Sequence, residues 1–205
     1  ERKMVEATQH ANEARLKLLE TQLEPHMLFN TLANLRVLIG IEPARAQTML
    51  DHMIAYLRAT LDASRASAHP LRDEFARLRD YLELMSIRMG PRLAYQLDLP
   101  DALGAQPVPT LLLQPLVENA IKHGLEPKVE GGSITVSARQ DGADLVLEVA
   151  DTGVGMTDTA QASSGFGTAQ VRERLATVYG PAAAIDFIAP HAGGVRVSVR
   201  FPLKP

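Results

Sequence analysis

Leu23-Glu24-Pro25-His26-Met27-Leu28-Phe29-Asn30 lies inside a helical pattern, and its reading sets the architecture of the first third of the chain. Leucines at 16, 19 and 23 run into Leu28, Leu32, Leu35 and Ile39 at the three- and four-residue spacing of one helix face. Pro25 interrupts that run. It offers no N–H to the Thr21 carbonyl and its ring crowds the same group, which costs about 3 kcal/mol in a helix interior. A local bend is expected there. His26 stands three residues after Leu23 and four before Asn30, so the three share a stripe. Taken alone, the stretch reads as a bundle histidine facing a partner helix beside a tolerated kink.

Working outward, helix one is expected from about Lys3 to Ile39, with Gly40-Ile41-Glu42-Pro43 as a stop and turn. Helix two starts near Ala44 and carries Leu50, Ile54, Leu57 and Leu61 on one face. Periodicity is then lost, so residues 63–70 read as a linker between a hairpin (1–62) and a second domain (71–205). At 1.5 Å per residue the helices would be roughly 55 Å and roughly 28 Å long. Helix two then covers helix one only to about residue 23. Two helices with single apolar stripes cannot close a core, so a four-helix bundle built from two subunits is expected, with docking onto the chain's own second domain as the alternative. In such an antiparallel arrangement His26 lies level with residues Tyr56 to Arg58. The chain opens mid-pattern without a helix cap, which points to a missing upstream portion.

Composition sharpens the division. Residues 1–89 contain one glycine, Gly40, and residues 90–205 the other thirteen, so a helical part precedes a part with turns, hairpins and glycine loops. Of the 205 residues, 46% are hydrophobic and 22% charged, enough apolar mass for one or two cores. A net charge of −3 without a basic cluster argues against nucleic acid as a partner. No eighteen-residue apolar run is present. The absence of cysteine excludes disulfides, zinc thiolate sites and cysteine nucleophiles.

In the second part, Ala68–Leu71 reads as an extended lead-in and Arg72–Met89 as a helix ended by Gly90-Pro91. Leu93–Leu99 alternates as a strand, and Pro109 begins a helix over Thr110–Lys122 closed by Gly124. Ser133–Gln140 and Asp144–Ala150 form a hairpin about Asp141-Gly142. A glycine-bearing loop over 152–167, a helix from about Thr168 to Tyr179, and strands near 184–189 and 195–201 complete the chain. The fold class is α+β: a helical hairpin followed by an α/β sandwich, one mixed sheet covered by helices on one face. The order is not alternating βαβ, which excludes Rossmann and TIM arrangements.

Three clusters in this sandwich carry chemistry. In Glu118-Asn119-Ala120-Ile121-Lys122-His123-Gly124, helical spacing puts Asn119, Lys122 and His123 on one face. An amide oxygen suits Mg²⁺, and lysine and histidine suit phosphate oxygens. In Asp151-Thr152-Gly153-Val154-Gly155-Met156, after an apolar strand, a fixed carboxylate suits an exocyclic amine such as that of adenine, and glycines let backbone approach a purine. In Gly165-Phe166-Gly167, glycines open a helix whose free N–H groups favour an anion. Each cluster alone is weak.

Their order resembles the N, G1 and G2 boxes of the Bergerat-fold ATPases, the superfamily of DNA gyrase, heat-shock chaperone ATPases, anti-sigma-factor serine kinases and sensor histidine kinases. With "LEPHMLFNTL", "LRDYLELMSIRMG" and "LLLQPLVENAIKHG", nearly all of the chain is similar to the catalytic core of LytS-type sensor histidine kinases. The resemblance implies that His26 is the phosphoacceptor and Asn30 the position that orients the dephosphorylating water. It implies Asn119 as Mg²⁺ ligand and Lys122 and His123 as phosphate contacts. It also implies Asp151 as adenine reader, Gly153 and Gly155 as lid hinge, and Gly165, Phe166 and Gly167 as the phosphate cradle. ATP and Mg²⁺ follow as cofactors. A homodimer, a response-regulator receiver domain and an upstream sensor follow as partners, in a cytoplasmic portion of an inner-membrane protein.

Three departures stand out. Most relatives carry an acidic residue directly after the histidine, and here it is Met27. Pro115 stands four before Asn119 where many have asparagine, and Gln170 replaces another asparagine. The base for His26 is therefore unassigned. The alternatives are a catalytically silent ATP-binding dimeric scaffold, or a serine kinase or ATPase of the same superfamily. The histidines at 10, 52, 69 and 191 have no partner pattern and are expected to face solvent or to be incidental.

Overall fold

The computed structural model describes residues 25–63, 66–155, 165–190 and 193–203, without the side chains of residues 25, 26 and 165–167. Helix α1 spans Pro25–Ile41 and α2 spans Pro43–Ala63, with Glu42 alone between them. Gly40 lies inside α1 rather than ending it. The turn is made instead by Pro43, whose missing N–H and fixed φ suit a helix start. The predicted helix before Pro25, and with it the bend, falls outside the described residues.

Each hairpin helix has two apolar faces. On α1 Met27, Thr31, Leu35 and Leu38 are buried, while Phe29, Leu32, Val37 and Ile39 are exposed. On α2 the buried set is Ala46, Met49, Tyr56, Thr60 and Ala63, and the predicted stripe residues Leu50, Ile54 and Leu61 are exposed. The buried faces dock onto the second part of the same chain and join its core. Docking onto the chain's own second domain, the less expected arrangement, is what the described residues adopt. Tyr56 and Tyr81 meet with ring centroids 5.6 Å apart. Arg45 donates to the Ile87 carbonyl at 3.0 Å.

Beyond the hairpin come β1 (Ala68–Pro70), α3 (Leu71–Met89), β2 (Leu93–Asp98), β3 (Pro107–Pro109) and α4 (Gln114–Asn119). Helix α4 widens into a π-helical turn over Ala120–Leu125. Then follow β4 (Gly132–Asp141), β5 (Asp144–Asp151), α5 (Gly165–Tyr179), β6 (Ala184–Ile188) and β7 (Arg196–Pro202). The five-stranded sheet has the order β2-β4-β5-β7-β6, with β2 and β4 parallel and the other pairs antiparallel. Ile134, Val136 and Ala138 of β4 and Val197, Val199 and Phe201 of β7 bury one face, the period-2 signature of a sheet covered on that side.

Two local expectations are corrected. The predicted helix over Thr110–Lys122 begins only at Gln114, because Pro115 is tolerated in a first turn but not in an interior. Leu111 before it has φ +57°, outside helical backbone. Residues 68–70 of the predicted linker form β1, paired with β3. His69 does not face solvent: its Nε2 lies 2.7 Å from Oε2 of fully buried Glu74, which also pairs with Arg77 and accepts the Leu113 N–H at 2.9 Å.

Candidate functional site

The π-helical turn brings two of the sequence clusters together. An i→i−5 bond, Glu126 N–H to the Ile121 carbonyl at 2.8 Å, widens the helix by one residue at Gly124. Gly124 thereby abuts the end of β5: the Val154 N–H donates to its carbonyl at 2.9 Å. A Cβ on Gly153 would meet the Gly124 backbone at 2.3 Å, and one on Gly124 would meet Asp151 Oδ1 at 2.8 Å. Both glycines are dictated by this contact rather than by turn geometry.

Asp151, the last residue of β5, is 7% exposed, and its Oδ1 accepts the Gly153 N–H at 2.8 Å. Burial raises its pKa; the Gly153 and Val195 backbone contacts and Lys128 oppose that rise. Thr152 fixes the strand beside it, its hydroxyl accepting the Ser133 N–H at 2.9 Å and its carbonyl accepting from Lys128 Nζ at 2.6 Å. Gly155 has φ +84°, a conformation costly for other residues, at the point where the chain leaves the sheet. The expected lid over 156–164 lies outside the described residues. Gly165, Phe166 and Gly167 form the first turn of α5, which starts three residues earlier than the sequence predicts.

Asn119 ends the α-helical part of α4 and is half-buried, Lys122 is exposed and His123 half-buried. Among the described residues no group of three acidic or histidine side chains could hold a metal by itself. The donor set therefore fits an ion carried mostly by phosphate and water, with one amide oxygen from the protein, which is how Mg²⁺ is commonly bound. His26 is the second residue of α1 and Asn30 lies one turn on, half-buried. Met27, Asn30, Tyr81, Ile121 and Lys122 line one small cleft. Arg88 and Glu126, ion-paired with each other, also line it.

Sequence reasoning assigned no role to Tyr56. Its hydroxyl donates to Glu118 Oε1 at 3.2 Å. Gln114 Nε2 donates to the same oxygen at 2.9 Å and to Tyr56 Oη at 3.2 Å. Burial, reinforced by Glu118, raises the Tyr56 pKa well above its ordinary value, so the hydroxyl remains a donor. The available signal was the position of Tyr56 in the hairpin, level with the residues around His26.

Two family models divide most of the chain: "Histidine kinase" matches residues 14–93, and "Histidine kinase-, DNA gyrase B-, and HSP90-like ATPase" matches residues 105–205. Sensor histidine kinase BtsS of Escherichia coli (strain K12) is 31% identical over 192 residues, covering 94% of this chain and 34% of BtsS. Sensor protein LytS of Bacillus subtilis (strain 168) is 28% identical over 203 residues, again 94% of this chain and 34% of the relative. The chain thus spans about a third of the length of these curated relatives. In fold it is similar to the histidine kinase domain of the Erythrobacter litoralis EL346 blue-light activated histidine kinase, with TM-score 0.56 and 17% identity over 95% of this chain and 94% of that one. A catalytic domain of histidine kinase ThkA gives TM-score 0.52 at 14% identity, over 67% of this chain and 97% of that one. With the Asn119 helix, the Asp151 strand end and the hairpin in their described places, the chain belongs to the sensor histidine kinases of LytS type and carries their catalytic core.

Proposed function

We propose that the protein transfers the γ-phosphoryl group of ATP to His26 and then to an aspartate of a response-regulator receiver domain. The observation that carries this reading is the cleft between α1 and the Asn119-bearing helix. Met27 and Asn30 of α1 and Ile121 and Lys122 of the π-helical turn line it together, so the helix that holds His26 lies beside one candidate phosphate contact, Lys122. Phosphoryl transfer needs alignment and charge neutralisation more than covalent help.

The adenine amine is read by Asp151, with Gly153 and Gly124 leaving room for the ring. Lys122 and His123 hold phosphate oxygens, and the α5 N-terminus at Gly165, Phe166 and Gly167 receives the remaining charge. Asn119 offers its amide oxygen to Mg²⁺, which when bound neutralises phosphate charge. A ring nitrogen of neutral His26 attacks the γ-phosphorus. The N–P bond forms as the bond to the β,γ-bridging oxygen breaks, and ADP leaves with the electron pair. An imidazole titrates near ~6.5 in water, so it is mostly neutral and nucleophilic at cellular pH. In the separate dephosphorylation reaction, Asn30 orients the water that removes the phosphoryl group as inorganic phosphate.

The exposed residues Phe29, Leu32, Leu50, Ile54 and Leu61 support a homodimeric four-helix bundle. Residues 1–62 then serve as dimerisation and phosphoacceptor hairpin, 63–70 as linker, and 71–205 as ATP-binding domain. Among the described residues no helix is long and apolar enough to cross a membrane. This portion is read as the cytoplasmic part of an inner-membrane sensor.

A silent ATP-binding scaffold is the second reading, favoured by Met27 in place of an acid. Incubation with Mg²⁺ and γ-labelled ATP separates the two. Acid-labile, alkali-stable label that vanishes in His26→Gln supports the kinase; nucleotide binding without label supports the scaffold.

A further inference from the structure

A second side chain is committed to the end of β5. Lys128 stands in the loop between the π-helical turn and β4, and its Nζ donates to the Thr152 carbonyl at 2.6 Å. We infer that Lys128 is a positioning and specificity-determining residue. By fixing the residue after Asp151 and bringing a positive charge to that strand end, it makes the site prefer purines with an exocyclic amine over purines with a carbonyl in its place. The inference rests on the reading of Asp151 as the group that meets adenine.

The loop is built to aim this lysine. Arg92 Nη2 donates to the Glu126 and Lys128 carbonyls at 2.9 and 2.8 Å, and its Nε donates to the Val129 carbonyl at 3.0 Å. The Lys128 N–H donates to the Leu125 carbonyl at 3.2 Å, and the Lys128 carbonyl also accepts the Gly131 N–H at 2.9 Å. Gly131 has φ +70°, and a Cβ on it would stand 1.9 Å from the Arg92 carbonyl oxygen, so the loop lies directly against Arg92. The backbone at position 128 is thus held at both its N–H and its carbonyl. A long side chain gives up rotamer freedom to reach one main-chain oxygen, a cost that an idle surface lysine avoids. The receiving end is equally fixed. The Thr152 N–H donates to the Ser133 carbonyl at 3.0 Å, and the Thr152 hydroxyl accepts the Ser133 N–H at 2.9 Å.

The charge has a target. The elements around Asp151 present Gly124 from the π-helical turn, Ile134 from β4, and Gly194 and Val195 just before β7. The titratable or charged neighbours of these residues in the chain are Lys122, His123 and Arg196. Burial raises the Asp151 pKa, and the charged side chain that opposes the rise is the half-buried Lys128. An ionised carboxylate only accepts hydrogen bonds, and an exocyclic amine supplies the N–H it needs. A purine carbonyl at the same place sets two acceptors face to face. A protonated carboxyl carries one O–H and tolerates that carbonyl. Preference between the two purines therefore follows the charge on Asp151, and Lys128 favours the charged form.

Full-length protein is titrated with ATP and with inosine triphosphate from pH 5 to pH 7.5, and the ratio of the two affinities is read at each pH. Both nucleotides carry the same triphosphate, so the ratio cancels protonation of phosphate and of the groups that touch it. Wild type is expected to prefer ATP by about tenfold or more at the upper end, the worth of a hydrogen bond to a charged group, and to lose preference on acidification. In Lys128→Met the loss is expected to begin at higher pH. Midway down the wild-type limb the variant's preference is expected to be about threefold lower, the range of one partly solvated charge pair. Lys128→Arg keeps the charge and is expected to restore the wild-type profile.

A Lys128→Met ratio that follows the wild-type profile overturns the inference even if both affinities drop together, because that is the result of holding the loop alone. If Lys128→Met binds neither nucleotide, NMR titration of the Asp151 carboxyl without nucleotide decides: a midpoint at higher pH than in wild type supports the inference, and an unmoved one overturns it. Asp151→Asn separates the two readings. If it binds ATP as tightly as wild type, the adenine reading falls and this inference with it. If it loses the preference for ATP while Lys128→Met leaves the profile unmoved, the adenine reading stands and the role of Lys128 is overturned.

Discussion

Gly124 and Asp151 are in direct contact: a methyl group on Gly124 would stand 2.8 Å from Asp151 Oδ1. The π-helical turn presents Gly124 to the strand end, and Gly153 completes a three-way contact through its N–H and its lack of a side chain. Gly124→Ala must displace a carboxylate that burial and the Gly153 N–H hold in place. Its expected cost is about 1–3 kcal/mol by overpacking, read from denaturant unfolding. Nucleotide affinity should fall in parallel by about tenfold, since a 1.4 kcal/mol loss is one decade. Unchanged affinity with lowered stability would show that Asp151 does not touch nucleotide.

Asp151→Asn separates function from stability. Burial raises the Asp151 pKa, so the folded protein holds that proton at a higher pH than the unfolded chain does. Stability from this group is full below the ordinary carboxylate range and is lost as pH rises through the raised folded value. At neutral pH the charge is a load that the asparagine lacks, while its amide oxygen still accepts the Gly153 N–H. The variant is expected to be at least as stable as wild type at pH 7 without nucleotide. It should bind ATP roughly 10- to 100-fold more weakly, the range of a hydrogen bond to a charged group. Denaturation midpoints from pH 4 to 7 and a nucleotide titration check both.

Glu74 has the opposite sign. Burial alone would push its pKa up, but His69, Arg77 and the Leu113 N–H outweigh it and hold the carboxyl below its ordinary range. Its stability is therefore present at neutral pH and lost as pH falls through the lowered folded value. Glu74→Gln leaves Arg77 buried without its charge partner and is expected to cost about 3–5 kcal/mol. Glu74→Leu combined with Arg77→Met should recover most of that loss in equilibrium unfolding, because an apolar pair of similar volume removes the buried charge altogether.

The exposed faces of α1 and α2 make a separate expectation. Ile54 is 40% exposed and Phe29 71% exposed in one chain, on the faces that turn away from the ATPase sandwich. On the homodimeric reading proposed above, Ile54→Lys is expected to give a monomer in light scattering with little change in fold. A variant that remains dimeric would place the interface elsewhere.

Much of this architecture was legible in the sequence because its signals are local. Alternation in residues 133–140 and 144–150 about Gly142 marked the β4–β5 hairpin within a residue or two of its observed ends. The order of Asn119, Asp151 and Gly165 carried the resemblance to an ATPase domain, which a family model matches over residues 105–205. What stayed hidden depends on partners distant along the chain. Pro107–Pro109 has no strand periodicity and becomes β3 only by pairing with residues 68–70. His69 looked idle because its partners, Glu74 and Arg77, lie on the helix of the domain it leads into. Both hairpin helices carry two apolar faces, so one stripe read by periodicity concealed the other, and the docked face emerged only from the fold. The widening at Ala120–Leu125 leaves no mark in a 3.6-residue pattern, yet it brings Gly124 to Asp151.

The most direct test of the central claim is the location of the phosphoryl group. Protein incubated with Mg²⁺ and ATP is digested at neutral to alkaline pH, and the peptide containing residues 23–36 is examined by mass spectrometry with ³¹P NMR of the intact chain. The expected result is a single phosphoramidate on His26, formed at a rate that saturates with ATP and is abolished in Asn119→Ala. Phosphate found only on a hydroxyl or carboxylate side chain, or an unmodified His26 in protein saturated with nucleotide, would contradict it.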